Sequence, residues 1–371
     1  MSFIVVPPPH AKSLWQRLHL DSFLVSSLAL LSGVGLLILY SATGGNWSLV
    51  YKQLVRLGLA FAAMLGLAQV HPRTLYRLSP LLYGLGLFLL VAVLLKGDVG
   101  KGAQRWLDLG VLRFQPSEFV KIFTPMLLAW FLARHPLPPR PGAIALGVLW
   151  IFLPVGLIAK QPDLGTALLV LSSGCAVLFF AGISWRLLAG LAGSAAAALP
   201  VIWSFLRDYQ RDRILMFLNP EADPLGRGYH TIQAKIAIGS GGLTGKGWLM
   251  GTQAHLEYLP EPHTDFIFAV LAEDFGFLGC LGLIALYLTI IGRGLYLALK
   301  CQDTFSRLLT GSLAFTFFVY VFVNIGMVVG LLPVVGVPLP LISYGGTSVV
   351  TLLAGFGIMM SLATHRKLVS S

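Results

Sequence analysis

Runs of apolar residues, each long enough to cross a bilayer, recur along nearly the whole chain. They fall at roughly 22–41, 51–70, 78–95, 116–133, 142–159, 164–181, 186–206, 265–292, 306–330 and 342–363. A helix rises about 1.5 Å per residue, so about 20 residues span a hydrocarbon core about 30 Å thick. Inside lipid every backbone N–H and C=O needs an internal partner, which makes helices the form these runs take. The pattern predicts an all-α, polytopic integral membrane protein of about ten transmembrane helices, with both termini on one side. Composition agrees: 56% of the residues are hydrophobic and 11% charged, against about 25% charged in soluble domains, and the mean hydropathy is +0.81. The first run is long and has no small-residue cleavage site after it, so it reads as an uncleaved anchor.

A single membrane domain is expected over residues 1–371, with a cytoplasmic lead-in at 1–21, a large extracytoplasmic loop at 207–264 and a short cytoplasmic tail at 364–371. The net charge of +11 is read as the excess of Lys and Arg on cytoplasmic loops, with contact to anionic lipid second, and not as nucleic-acid binding. With the N-terminus inside, the inner segments hold Lys12, Arg17, Arg73, Arg77, Arg134, Arg140, Arg186, Arg293, Lys300, Arg307, Arg366 and Lys367, with only Asp21 and Asp303 as acids. The outer loops hold Lys96, Lys101, Arg105, Arg113 and Lys160 among nearly all the acids, and the long loop is free to violate the rule. Both termini are therefore expected in the cytoplasm. Cys175, Cys280 and Cys301 lack metal-ligand spacing, so neither a disulfide nor a metal cage is expected from them.

The stretch Tyr209–Gly276 breaks the apolar pattern. It contains Gly239-Ser240-Gly241-Gly242-Leu243-Thr244-Gly245-Lys246-Gly247 and then Leu259-Pro260-Glu261-Pro262-His263-Thr264-Asp265-Phe266. The glycine-rich part lacks phosphate-loop spacing and precedes no nucleotide fold, which excludes NTP binding by that motif. Asp265 stands where the polar loop becomes an apolar helix. A carboxylate at such a border is half in water and half in low dielectric, where an acid or base is tuned. The plainer alternative is a helix start, with Thr264 as N-cap and Asp265 favoured by the dipole. Glu273 and Asp274 follow about two turns inside the expected helix, with Glu273 on roughly the face of Asp265.

Other expected outer segments are also rich in special residues. Residues 96–118 read as a loop containing Gly102-Ala103-Gln104-Arg105-Trp106, with Trp106 as an interfacial anchor, ending in Gln115-Pro116-Ser117-Glu118. Pro116 and Ser117 mark a helix start, and Glu118 and Lys121 share one face at i, i+3. Ionisable groups at a membrane border are costly and point to function. Lys160-Gln161-Pro162-Asp163-Leu164-Gly165-Thr166 reads either as a turn capped by Asp163 or as part of a site. The prolines and glycines of 330–347 imply a broken or re-entrant stretch, with Asn324 facing the same interior.

Taken together, in order and over nearly the whole chain, these segments resemble the SEDS proteins (shape, elongation, division and sporulation). Pro338-Leu339-Pro340 with Ser343-Tyr344-Gly345-Gly346 completes the set. Val334-Val335-Gly336-Val337-Pro338-Leu339-Pro340 resembles the rod-shape branch more than the division branch. The resemblance implies a peptidoglycan glycosyltransferase of the bacterial cytoplasmic membrane. It would polymerise lipid II, a disaccharide-pentapeptide on undecaprenyl pyrophosphate, beside a class B penicillin-binding protein that crosslinks. It also implies that Asp265 is the essential extracytoplasmic aspartate and that Glu118 and Lys121 are a charged pair in the central cavity.

That reaction needs a carboxylate base for the acceptor hydroxyl and positive charge for the departing pyrophosphate. Asp265 is the expected base. Arg105, Lys121, Arg211, Arg213 and Lys246 are the expected pyrophosphate holders, in falling order, with a divalent cation as a further source of charge. Apolar grooves between helices would take the undecaprenyl chain. Two rivals are a flippase moving lipid II across the membrane and a non-catalytic scaffold of a cell-wall complex. Against the flippase, the special residues crowd on one face and no inverted repeat is visible.

Overall fold

The computed structural model describes residues 14–100, 103–108, 113–184, 189–190, 193, 197, 203–204, 211–212, 215, 217, 223, 229–255, 258–259 and 262–365. A short turn of helix, α1 (Leu14–Arg17), precedes α2 (Ser22–Ala42), α3 (Trp47–Ala68) and α4 (Pro72–Lys96). A small antiparallel sheet follows, β1 (Asp98–Gly100), β2 (Ala103–Asp108) and β3 (Arg113–Phe114) in the order β1-β2-β3. Then come α5 (Pro116–Leu132), α6 (Pro141–Lys160), α7 (Leu164–Phe180), α8 (Tyr229–Ser240), α9 (Thr252–His255), α10 (Ile267–Lys300), α11 (Thr304–Val328) and α12 (Thr347–Thr364). Seven of these helices are long and apolar enough to cross a membrane, and α7 is a shorter apolar helix. The expected helix at 186–206 lies largely outside the described residues. The 96–118 segment, expected as a loop, carries the sheet. Its strands pair Leu107 with Phe114 and Val99 with Gln104, which satisfies their backbone groups before the chain re-enters the bundle.

Helix starts follow their capping chemistry. Asp21 accepts from Leu24 N at 2.9 Å, Asn46 from Ser48 N at 3.0 Å and Asp303 from Ser306 N at 2.9 Å, each filling an orphan donor of a first turn. Proline opens α4, α5 and α6, where its missing N–H costs nothing.

Burial does not follow hydrophobicity. In α11 and α12 the most apolar windows are 72% and 67% buried, against 28% in α3, α4 and α6, although α4 and α6 are the more apolar helices. Lipid is as apolar as leucine, so helices gather through packing and polar contacts rather than by hiding oily surface. The central helix α11 packs on α5, α7, α10 and α12. It buries Ser306, Thr310, Ser312, Thr316 and Asn324.

The helix predicted at 265–292 is α10, 34 residues long, and it is broken at Gly276 (φ +63°). The glycine-rich loop after α8 closes the break. Lys246 N and Gly247 N donate to the carbonyls of Glu273 and Asp274 at 2.9 and 3.0 Å. Phe277 N and Leu278 N donate to Gly242 O and Leu243 O at 2.9 and 3.1 Å. Backbone groups freed by the kink thus find partners, as a break inside a membrane bundle requires. The approach is close enough that a Cβ at Gly245 would stand 2.1 Å from Asp274 O. The loop that resembles a phosphate cradle is a backbone splice.

Candidate functional site

Asp265 does not begin a helix. Residues 262–266 form a turn, α10 starts at Ile267, and its N-cap Phe266 makes no side-chain cap. The expected capping by Thr264 is therefore replaced by something else. Asn324 Nδ2, fully buried in α11, donates to Asp265 O at 3.0 Å and to Val337 O at 2.8 Å. Ser343 Oγ donates to Thr264 O at 2.6 Å, and Tyr344 N donates to His263 O at 2.8 Å. The turn is locked into the irregular stretch between α11 and α12, which occupies the region expected to be broken. Tyr287 from α10 holds the same stretch by donating to Pro340 O at 2.7 Å.

The carboxylate of Asp265 lies over Gly336: a Cβ there would be 3.5 Å from Oδ2. Gly336 has φ +69°, a conformation that glycine takes without strain. Its neighbours pack on the start of α7, where a Cβ at Gly165 would meet Val335 O at 2.7 Å. There Asp163 is the expected cap and also ties the start of α5 to that of α7. It caps α7 by accepting from Thr166 N at 3.2 Å, and it accepts from Gln115 Nε2 at 2.8 Å. Arg105 reaches over the same turn, its Nε 4.0 Å from Asp163 Oδ2 and its guanidinium donating to Gln161 O and Pro162 O.

One turn deeper lies the charged pair. Lys121 Nζ meets Glu118 Oε1 at 2.6 Å, and both residues are buried. Lys121 also donates to the Tyr320 hydroxyl, and Thr351 Oγ1 donates to Glu118 Oε2 at 3.1 Å. These groups line a half-open pocket whose remaining wall is largely apolar, including Leu313, Phe317, Phe356 and Met359. Tyr320 and Asn324 are one helical turn apart on α11, about 6 Å of rise, so one helix ties the buried pair to the Asp265 turn.

The structure thus brings Asp265, Arg105, Glu118 and Lys121 to one end of the bundle. It gives other expected residues different work. Lys246 Nζ is taken up by Glu273 Oε1 at 2.6 Å, an oxygen that also accepts from Thr252 N and Gln253 N. Glu273 therefore organises the splice and does not share a helical face with Asp265, because Asp265 lies in the turn before α10. Asp274 accepts from Ser41 Oγ of α2 at 2.5 Å. Arg211 donates to Trp203 O and Ser204 O within its own segment, and Arg213 lies outside the described residues. Among the described residues, no three His, Cys, Asp or Glu side chains converge as a metal cage would need.

Sequence reading missed Gln53, Arg56, Tyr320 and Thr351. Arg56 had a signal of its own: an ionisable residue within an apolar helix. Tyr320 and Thr351 look like ordinary helix residues until packing sets them against Lys121 and Glu118.

Residues 21–368 match the cell cycle protein family model of FtsW, RodA and SpoVE. The chain belongs to that family. It is 52% identical over 98% of both chains to a protein of Escherichia coli (strain K12) named peptidoglycan glycosyltransferase MrdB. The fold is similar (TM-score 0.81, 38% identity, 92% of this chain and 97% of the other) to a chain from a structure concerning coordination of polymerization and crosslinking by a peptidoglycan synthase complex. It is also similar to the rod shape determining protein RodA of Thermus thermophilus, with TM-score 0.72 and 34% identity over 94% and 98% of the two chains.

Proposed function

We infer that this integral membrane protein is a bacterial peptidoglycan glycosyltransferase that polymerises lipid II, with Asp265 as its general base. The seat of Asp265 carries the reading. Its carboxylate lies over a glycine, in a turn fixed by Asn324, Ser343 and Tyr344 through its backbone. The side chain stands at the end of the bundle where Arg105, Glu118 and Lys121 also gather. The acceptor hydroxyl attacks the anomeric carbon, its proton passes to Asp265, a C–O bond forms, and the C–O bond to pyrophosphate breaks with its electron pair leaving on phosphate. Pyrophosphate is a good leaving group, so one carboxylate suffices where a glycoside hydrolase uses two. Lys121 and Arg105 supply positive charge near the departing group.

Both termini lie in the cytoplasm in this reading, and the Asp265 end faces away from it; the Lys and Arg asymmetry of the short loops supports this. A reporter fused after Arg227 should then sit outside and one after Arg307 inside. A class B penicillin-binding protein is the partner that supplies the crosslinking activity, a reading supported by the similarity to the synthase-complex chain.

The test is glycan polymerisation from lipid II by the purified protein and by Asp265→Asn. Losing a general base typically lowers the rate by about 10²–10⁴, while the variant should express and fold normally. Near-normal polymerisation by Asp265→Asn would move the base elsewhere, with Glu261 and Glu118 next. Transbilayer movement of lipid II in sealed vesicles without polymer would make the chain a flippase.

A further inference from the structure

Arg56 lies well inside α3, one of the apolar spans, where an unpaired charge is costly. Among the described residues it meets no carboxylate. Its side chain packs on the face of Tyr344, with Cζ 4.5 Å from the ring centroid. A cation–π contact steadies the guanidinium but occupies none of its five N–H donors. Arg56 is half-buried and lies beside the glycine before α12: a Cβ on Gly346 would stand 3.8 Å from its Nε.

The surroundings fix this arrangement. Gln53, one turn earlier on the same face of α3, donates to Ser343 O at 3.4 Å and accepts from Gly345 N at 3.3 Å. Tyr344 is bonded through its backbone to His263, and the two rings meet edge to face at 6.0 Å. Arg56 is thus held by the same irregular stretch that holds the Asp265 turn, and His263 is two residues from Asp265. Lys121 and Lys246 already face a carboxylate at 2.6 Å, and Arg105 is engaged with carbonyls. The planar fork of arginine suits a bidentate phosphate.

We propose that Arg56 binds the pyrophosphate of the lipid-linked substrate and holds it as it departs. The proposal rests on the reading of Asp265 as the base. As the anomeric C–O bond breaks, the electron pair passes to the pyrophosphate oxygen beside the guanidinium, which stays protonated throughout; the acceptor's proton goes to Asp265 and undecaprenyl pyrophosphate leaves.

The experiment separates binding from chemistry. Binding of undecaprenyl pyrophosphate is measured on the purified Asp265→Asn protein, on Asp265→Asn/Arg56→Gln and on Asp265→Asn/Arg56→Lys, with thermal unfolding of each. Asp265→Asn is the reference, since it holds the probe without turnover. Arg56→Gln should weaken it about ten- to a hundredfold, the worth of charge-assisted hydrogen bonds. Arg56→Lys keeps the charge and the stem but loses the fork, and should fall between; it also serves if Arg56→Gln does not fold. Phosphatidylglycerol vesicles are the second probe. A loss confined to undecaprenyl pyrophosphate supports the proposal, and an equal loss for both probes makes Arg56 a general headgroup contact and overturns it. Undiminished undecaprenyl pyrophosphate binding by a folded Arg56→Gln protein also overturns it. An active Asp265→Asn protein with weakened binding in Arg56→Gln would instead remove the base and keep the pyrophosphate site.

Discussion

At the end opposite Asp265, α3 passes to α4 and α10 to α11 within a few residues, with His71 and Asp303 capping the incoming helices. The charges there are half wet. Arg293 pairs with Asp21 at 2.7 Å, their side chains 29% and 12% exposed, and its guanidinium sits against Phe23 and Tyr296. Arg134 lies 3.8 Å over the Trp130 ring. At the Asp265 end the chain leaves helical form for long stretches, and Glu118, Lys121, Asp163, Glu273 and Asp274 are all buried. The contrast shows what burial demands. A half-wet ion pair lets water complete its hydrogen bonding, so short turns and one partner suffice. A buried carboxylate needs several donors in fixed directions, and a straight helix has none to spare. The donors come from side chains and backbone of several segments: Gln115 and Thr166 N for Asp163, Lys121 and Thr351 for Glu118, Ser41 for Asp274, and Lys246, Thr252 N and Gln253 N of the loop for Glu273.

Substitutions can break that contrast. The largest effect is expected from Asp265→Asn, a rate loss of about 10²–10⁴ with unchanged unfolding temperature, measured as glycan formed per minute. Asn324→Leu should mimic part of it by releasing Asp265 O and Val337 O, slowing polymerisation while also lowering stability. Equal activity in Asn324→Leu and wild type would show that the turn needs no such tether.

Next comes the buried pair. Lys121→Ala leaves Glu118 buried and unmatched, which costs about 3–5 kcal/mol where burial is complete. It should lower the thermal midpoint and abolish activity. Adding Glu118→Leu should restore much of the stability and none of the activity. Failure to recover stability would mean that the cavity, not the charge, sets the cost.

The splice is tested by Gly245→Ala. The new Cβ meets Asp274 O in a left-handed conformation (φ +81°), a strain of about 1–3 kcal/mol, read as faster proteolysis of the loop. A neutral result would detach the loop from the break at Gly276.

Arg293→Gln at the opposite end should change stability by at most about 1 kcal/mol, because the pair is partly solvated. The smallest effect concerns His365, which stacks on His19 at 3.6 Å and meets His71 edge-on at 5.3 Å. Burial pushes its pKa below the usual histidine value and His71 lowers it further, against the raising contact to Ser361 O. The folded state therefore resists its protonation. Stability at this end should be complete above the usual pH of about 6.5 and decline as pH falls through the lower folded value. Amide exchange near His365 at pH 5 and pH 8 measures it, and His365→Gln should remove the difference.

What could be read in advance was local. Glu118 and Lys121 meet because i, i+3 residues share a helix face whatever surrounds them. Asp163 caps α7 for reasons contained in its own segment. The spans were legible because transfer into lipid depends on each run's own residues, and nine of the ten expected runs overlap helices described here; the tenth, at 186–206, lies largely outside the described residues. The order of polar segments carried the family resemblance, and with it the expectation for Asp265.

What the tertiary structure decided was every meeting between distant segments. Thr264 is adjacent to Asp265 in sequence, yet Asn324 and Ser343 hold the turn. The break in α10 depends on a glycine loop some 30 residues earlier, and the same loop claims Lys246 for Glu273. Arg56 stood in plain view within an apolar run, but only packing set it against Tyr344 and beside Gly346. The physical reason is the solvent. Lipid fixes which segments are helices, because it penalises every exposed backbone group. It says little about which helix faces meet, because it solvates apolar side chains as well as another helix does. That choice falls to close backbone contacts and to the few polar groups that must find one another.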